Sequence, residues 1–315
     1  MNNGGIVGAP SIRTYDYNAV YGTSSVALPK TFMLPEDRLP SVTNQGKYNA
    51  CCAFAIAEVL QVLHRIEFGK DEQFSEGFIY GWHRLPEATY QGMNPDSSLK
   101  FLCKCGSVPK KYYNELYEMP EMREKLFGHP NFKEFEKIAE KYKLKGYVGF
   151  LKSNYEDMKR ALYECQYPLF AVANKGFGSP HAIIVVGWDE NGFIIQNSWG
   201  KDWGKNGLNS YPLSVVSYAY LFIDEVLELK FLDVNKSDWS YDAIKECVFN
   251  GLMQGMSETE FAPKQPVLRD QAAQLMVNKQ RNDDAVNKIM ADRMEDIAER
   301  LEKVISWARA NGYKE

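Results

Sequence analysis

Three short strings, far apart in the chain, constrain its fold more than anything else in it. Gln45-Gly46-Lys47-Tyr48-Asn49-Ala50-Cys51-Cys52-Ala53-Phe54-Ala55 sets a cysteine six residues after a glutamine, and far downstream come Pro180-His181-Ala182 and Asn197-Ser198-Trp199-Gly200. A cysteine nucleophile needs a base to take its proton, a group that holds the base in one tautomer, and donors for the oxyanion formed on attack. These residue types occur here, with His181 and Asn197 lying 130 and 146 residues beyond Cys51 (181 − 51 and 197 − 51). A fold that uses them together must bring the chain back onto its own first third.

Local patterning predicts how it does so. From Ala53 to Ile66 good helix formers mix with apolar residues at 54, 56, 59, 60 and 63, which suits a mostly buried helix. Cys51 then stands at its N-terminus, where the partial positive charge of a helix end favours a thiolate. Leu169-Phe170-Ala171-Val172-Ala173, Ala182 to Trp188 and Phe193 to Gln196 are short apolar runs ended by Gly or by Asp-Glu-Asn-Gly, and they predict strands, the last two forming a hairpin. A helical first half followed by a stranded second half gives an α+β domain.

The 315 residues suffice for one large domain and a small one. A net charge of −4, from 37 basic and 41 acidic residues, offers no basic surplus for a nucleic-acid partner. No run of about 18 apolar residues exists to span a membrane. The start, Met-Asn-Asn-Gly-Gly-Ile-Val-Gly-Ala-Pro, has neither a basic nor an apolar region of the secretory kind. Two of the six cysteines are adjacent and two, Cys103 and Cys105, sit one residue apart, so a reduced protein is expected. The Cys103–Cys105 pair has no second Cys or His pair at ligand spacing, and the sequence calls for neither a metal nor a cofactor.

The three strings resemble the papain-like cysteine peptidases. The His and Asn spacing falls in the range of roughly 130–150 residues found there, and Asn197-Ser198-Trp199-Gly200-Lys201-Asp202-Trp203-Gly204-Lys205-Asn206-Gly207 is similar to the family's Asn-Ser-Trp-Gly-x-x-Trp-Gly-x-x-Gly. The resemblance implies a two-lobed fold, a helical lobe and a β-rich lobe with a cleft between them, and an endopeptidase acting on protein or peptide. It implies Cys51 as nucleophile, His181 as base and then acid, Asn197 as orienter, and the Gln45 side-chain amide as oxyanion donor. It also implies Trp199 as shield of the Asn–His bond, Trp203 as leaving-group wall, Gly92 and Met93 on the wall where substrate adds as a strand, and Pro180 lining an apolar pocket for the second residue before the cut. His64, His83 and His129 lack the strand context and are read as packing or surface residues. The sequence departs from the family at Tyr48, where secreted relatives carry a disulfide cysteine, and at Cys52, where relatives carry an aromatic residue whose space is expected either to stay open or to be filled by a neighbour such as Tyr48. Leu28-Pro29-Lys30 matches the start of mature relatives. Residues 28–229 are thus expected to be the peptidase domain, and residues 1–27 an irregular arm or short pro-segment, held in the cleft by Tyr15, Tyr17 and Tyr21.

Past residue 230 the landmarks Phe231-Leu232-Asp233-Val234, Trp239-Ser240-Tyr241-Asp242-Ala243-Ile244, Gly251-Leu252-Met253-Gln254-Gly255 and Phe261-Ala262-Pro263 resemble one S-layer homology repeat, assigned to residues 230–280. The resemblance implies an anionic cell-wall polymer or a protein as partner, but the family's Thr-Arg-Ala-Glu signature reads Leu268-Arg269-Asp270-Gln271 here and keeps only its Arg. Within residues 281–315, Met290, Met294, Ile297, Leu301, Val304 and Ala308 recur in steps of four and three, and a C-terminal helix ended by Asn311-Gly312 is expected either to cover the lone repeat or to serve oligomerisation, the repeat's open face otherwise calling for a trimer or a partner. Two rival readings stand beside the peptidase. One is a non-catalytic surface-binding protein on a peptidase fold, favoured by Cys52 and the altered signature; the other is a cysteine acyl or peptidyl transferase. The missing secretory signal points to the cytoplasm or a phage particle, and the repeat points to the cell surface.

Overall fold

The computed structural model describes residues 5–6, 17–21, 26–82, 92–151, 154–174, 176–178, 180–223, 229, 231–249, 252–257 and 259–280. The chain divides into two compact units, one of Met1–Gly8 with Thr14–Leu229 and one of Ala9–Arg13 with Lys230–Glu315. Tyr15 and His83, and the helix expected over 281–315, lie outside the described residues.

The first unit is built around one helix, α2 (Cys51–Phe68), whose first fourteen residues are all buried. Apolar side chains over most of its surface explain this, and its buried polar residues find partners: Glu58 at Thr43, Gln61 at Ser41 and Asp71, and His64 at Lys70 O. Each Val, Leu or Ile so buried contributes about 1.5–3 kcal/mol. The helix stops at Gly69, which takes the left-handed conformation and returns its N–H to Arg65 O. Around it lie α3 (Glu76–Trp82) and α4 (Pro95–Cys105), whose first turn is capped by Asn94 accepting from the Ser97 N–H.

On its other side α2 packs against an antiparallel sheet. The strands are β4 (Gly146–Leu151), β5 (Leu169–Ala173), β6 (His181–Asp189), β7 (Gly192–Gln196), β8 (Leu208–Tyr211) and β9 (Val216–Ile223), in the order β4-β9-β5-β6-β7-β8. The short β2 (Phe32–Met33) pairs with β6. Strands β5 and β6 are buried almost throughout, which is why they read as unbroken apolar runs. The predicted hairpin is β6–β7, with Asp189 opposite Gly192.

The segment before Leu28 is not wholly irregular. Gly5–Ile6 form β1, parallel to β3 (Gly92–Met93), with Gly5 opposite Gly92 and Ile6 opposite Met93. Tyr17–Tyr21 form α1. Tyr17 is buried, its ring 5.7 Å from Phe150 and its hydroxyl donating to Glu164 at 3.0 Å. Tertiary partners decide both elements, and two-residue strands carry no periodicity to read.

The second unit has a small core of Val234, Ile244 and Phe249, the last two on helix α5 (Tyr241–Phe249). Asp233 clamps its loop, accepting from the Phe261 and Ala262 N–H groups at 2.9 and 2.6 Å, while the Phe231 and Phe261 rings meet at 5.3 Å. Residues 269–280 are helical, and Arg269 is exposed at the start of that helix.

Candidate active site

Cys51 is the first residue of α2. Ala50 ahead of it supplies no side-chain cap, so the first-turn N–H groups, which have no acceptor inside a helix, keep their positive end towards Cys51. Cys52 turns inward: it is buried, shares a hydrogen bond with Ser98 on α4 and lies within charge range of Tyr220 on β9, and burial pushes its thiol far above the ordinary range. The space of the missing aromatic is therefore met from α4 and β9. Tyr48, expected there, is half-buried with Lys47 over its ring at 5.6 Å. None of the six cysteines is in a disulfide, and Cys103 and Cys105 lie on α4, where burial pushes Cys103 up to about 11.

His181 opens β6, the strand against which α2 packs. Asn197 follows the last residue of β7, the neighbouring strand, and the hairpin register brings the two together. His181 Nε2 and Asn197 Oδ1 are 2.8 Å apart, and both residues are wholly buried. An asparagine oxygen accepts, so Nε2 carries the proton and Nδ1 is left with its lone pair. Nδ1 is buried and has no hydrogen-bond partner among the described residues. Burial pulls the imidazole down to about 4, against the opposing pull of Asn197. At pH 7 His181 is thus a neutral base with a free lone pair, and it takes up charge only where an anion forms beside it.

Aromatic rings close over this pair. Trp199 lies 4.8 Å from the imidazole at 37°, and Phe177 lies 5.2 Å away at 31°. Phe177 also meets Trp199, Trp203 and Tyr211, and Trp203 stacks on Tyr211 at 4°. With water kept out, the low local dielectric strengthens the His181–Asn197 bond.

The loop ahead of Cys51 is clasped to the loop after Asn197. Gln45 N–H donates to Ser198 O at 2.8 Å, Gly200 N–H donates to Thr43 O at 2.9 Å, and Asn44 bridges Trp199 between them. The Gln45 side chain is fixed from both ends: its Oε1 accepts from Ser198 Oγ at 2.7 Å and its Nε2 donates one hydrogen to Tyr48 O at 2.8 Å. The clasp needs glycine at two positions. Gly200 has φ +84°, and a Cβ there would come 3.0 Å from the Asn44 amide nitrogen. Gly207 has φ +82°, and its Cβ would fall 2.6 Å from Val42 Cγ1.

Gln45, His181, Asn197, Trp199 and Trp203 therefore share one connected cluster, with Cys51 six residues past Gln45 on the helix that packs against β6. Pro180 is half-buried directly before His181. Gly92 and Met93 sit on a separate edge beside α2 and are occupied by β1, which also touches β6; Met93 is buried. His64 is buried with its Nδ1 at Lys70 O, and His129 packs on Tyr113 and Phe135, so neither stands in the cluster. Sequence reasoning missed Phe177 and the part played by Ser198. Ser198 stands inside the Asn197–Gly207 string and was findable there, whereas Phe177 is a single apolar residue between glycines.

The family model for papain family cysteine proteases matches residues 28–212. The chain belongs to that family. The S-layer homology domain matches residues 230–273. Xylellain, a cysteine protease from Xylella fastidiosa, superposes with a TM-score of 0.55 at 23% identity over 71% of this chain and 96% of that one, and the bromelain protease from Ananas comosus with 0.51 at 18% over 63% and 100%. At those identities the likeness is one of fold. Among curated proteins, ananain from Ananas comosus is 24% identical over 53% of this papain-family chain, which spans 50% of ananain's length. The surface-layer 125 kDa protein of Lysinibacillus sphaericus is 43% identical over 22% of the chain, which spans 7% of that protein.

Proposed function

We propose that this cysteine protease is an endopeptidase working through a Cys51 acyl-enzyme. The observation that carries the reading is the buried His181–Asn197 bond, which leaves Nδ1 as the one imidazole nitrogen without a partner. The Cys51 thiol proton passes to Nδ1, and the sulfur attacks the peptide carbonyl carbon while its π electrons move onto oxygen. That oxyanion accepts from the second hydrogen of Gln45 Nε2 and from the Cys51 N–H at the helix end. As the tetrahedral species collapses, the C–N bond breaks and the imidazolium gives its proton to the leaving amine. Water then attacks the thioester, losing a proton to His181, and the acid leaves as the thiol reforms.

Residues 28–229 carry this activity. The segment 1–27 acts as a short arm whose Gly5–Ile6 strand covers the Gly92–Met93 edge, where an extended substrate backbone would add; the parallel β1–β3 register and the buried Tyr17 support this. Residues 230–280 hold the enzyme at a cell surface through an anionic wall polymer or a protein there, supported by the S-layer homology match and by exposed Arg269.

The test is cleavage of an extended peptide library by wild-type protein and by Cys51→Ser, with products read by mass spectrometry in the presence of an added amine. Hydrolysed products from wild type alone are expected. Amine adducts in place of acids would make the enzyme a transferase, and equal cleavage by Cys51→Ser would remove Cys51 from the reaction.

A further inference from the structure

Glu58 is a buried carboxyl that none of these steps uses. It lies on α2 two turns beyond Cys51, among apolar residues, where a carboxyl stays only if something compensates it. Its Oε1 is 2.5 Å from Thr43 Oγ1, it also bonds the Thr43 backbone, and its carboxyl meets the Gln196 side chain. Thr43 O is the acceptor for the Gly200 N–H in the clasp, and Gln196 directly precedes Asn197 while its Nε2 reaches Pro40 O and Ser41 O at 3.3 and 3.4 Å. One carboxyl thus joins the helix of Cys51, the loop of Gln45 and the strand end of Asn197.

We propose that Glu58 is a positioning residue, whose carboxyl holds the Gln45 and Asn197 loops in register with Cys51. It touches no substrate. Its environment favours the neutral acid: burial is the main cause, Glu76 on α3 adds a like charge that is itself paired with Lys110 at 2.9 Å, and the Thr43 and Gln196 bonds oppose the shift without overcoming it, so that the group is pushed up to about 8. At pH 6–7 Glu58 is therefore a neutral acid. As the pH passes about 8, a charge appears in a dry junction where Glu76 is the charged neighbour; the Thr43 and Gln196 bonds then strengthen, and the cost of the buried charge falls on the stability of the fold.

This inference rests on the proposed catalytic reading, so the experiment carries a readout that does not need turnover. Glu58→Met fills the same volume without hydrogen bonds, and Glu58→Gln keeps them without the charge. Hydrogen exchange at pH 6.5, read on peptides covering 41–46 and 197–201, should quicken at least ten-fold in Glu58→Met and stay near wild type in Glu58→Gln. On a peptide substrate, kcat should fall about thirty-fold in Glu58→Met with KM within about three-fold, since small misplacements of catalytic groups cost up to about a hundred-fold, and Glu58→Gln should restore it. Unchanged exchange in Glu58→Met overturns the proposal whatever the activity. Quickened exchange with wild-type kcat overturns it too, because the tie would then serve stability alone. A wild type that exchanges as expected but cleaves nothing refutes the catalytic reading and leaves the tie standing.

Discussion

Replacing Gln45 by Ala separates two contributions that the structure joins in one side chain. The Oε1 bond to Ser198 and the Nε2 bond to Tyr48 O hold the loop; the remaining N–H is free for the oxyanion. Losing the two structural bonds costs about 1 kcal/mol each and leaves buried partners unsatisfied. In a domain of this size a loss of about 2 kcal/mol lowers Tm by roughly 4–8 °C, from about 2–4 °C per kcal/mol. Losing the oxyanion donor costs about 2.7–4 kcal/mol in the transition state, a fall of about 10²–10³ in kcat. The assay is kcat and KM on a chromogenic peptide, beside the inhibition constant of a peptide aldehyde, whose thiol adduct carries a developing oxyanion. Both kcat and aldehyde affinity should fall in Gln45→Ala while KM moves little. Gln45→Glu keeps the Ser198 bond but sets a carboxylate oxygen against Tyr48 O and against the oxyanion, and it should do no better. A Gln45→Ala protein whose kcat stays within about three-fold of wild type, with its Tm lowered as expected, would refute the donor role and leave only the loop role.

Cys51→Ser should abolish both peptide cleavage and labelling by iodoacetamide at neutral pH, and a label found on Cys52 would put the register of the site one residue out. Cys52→Trp should lower the urea midpoint by the equivalent of about 1–3 kcal/mol, since Ser98 and Tyr220 already close that space; an unchanged midpoint would mean that the space is open. Asn197→Ala strands the His181 Nε2 proton in an apolar site at a cost of about 1–3 kcal/mol, so kcat should fall about 10–100-fold, and an unchanged kcat would remove Asn197 as orienter. Stability should respond to pH in two windows. Glu58, raised from 4.5 to about 8, binds its proton more tightly folded than unfolded and contributes a loss of up to about 1.4 kcal/mol per unit as pH rises between those values; His181 offsets it between 4.5 and 6.5, so the net fall lies between about 6.5 and 8, where Glu58→Gln should flatten the slope. His181, lowered from 6.5 to about 4, does the reverse: stability is lost as pH falls through that range. Urea midpoints measured from pH 4 to 9 test both, and a slope unchanged by Glu58→Gln would show that Glu58 is not the group responsible.

The helix after Cys51 and the strands after Leu169, His181 and Gly192 were legible because each carries its burial in its own sequence: α2 is apolar over most of its surface and the strands are unbroken apolar runs. Gln45, Cys51, His181 and Asn197 were legible as candidates because their strings and spacing resemble those of a known family, a signal carried by motif and not by local periodicity. What could not be read depends on partners distant in the chain. Gly5–Ile6 becomes a strand only because Gly92–Met93 offers an edge, and Met93, read as lining the substrate wall, is buried. Glu58 stood in the helical run as one polar residue among apolar ones; nothing nearby says that Thr43 and Gln196 meet it there. Phe177 gains its place only when the sheet sets it beside His181 and Trp199.

The strand that occupies the Gly92–Met93 edge belongs to the same molecule as the edge. A two-residue ladder between separate molecules would vanish on dilution, but a tethered one forms at an effective concentration in the millimolar range, set by the linking chain and not by the solution. The fraction of molecules with that edge open is then the same at nanomolar as at micromolar protein, so specific activity holds constant across dilution. Two things change it: an extended ligand present at concentrations that compete with the tether, or a single cut in the chain between Ile6 and Tyr17, after which Gly5–Ile6 diffuses away and cannot return.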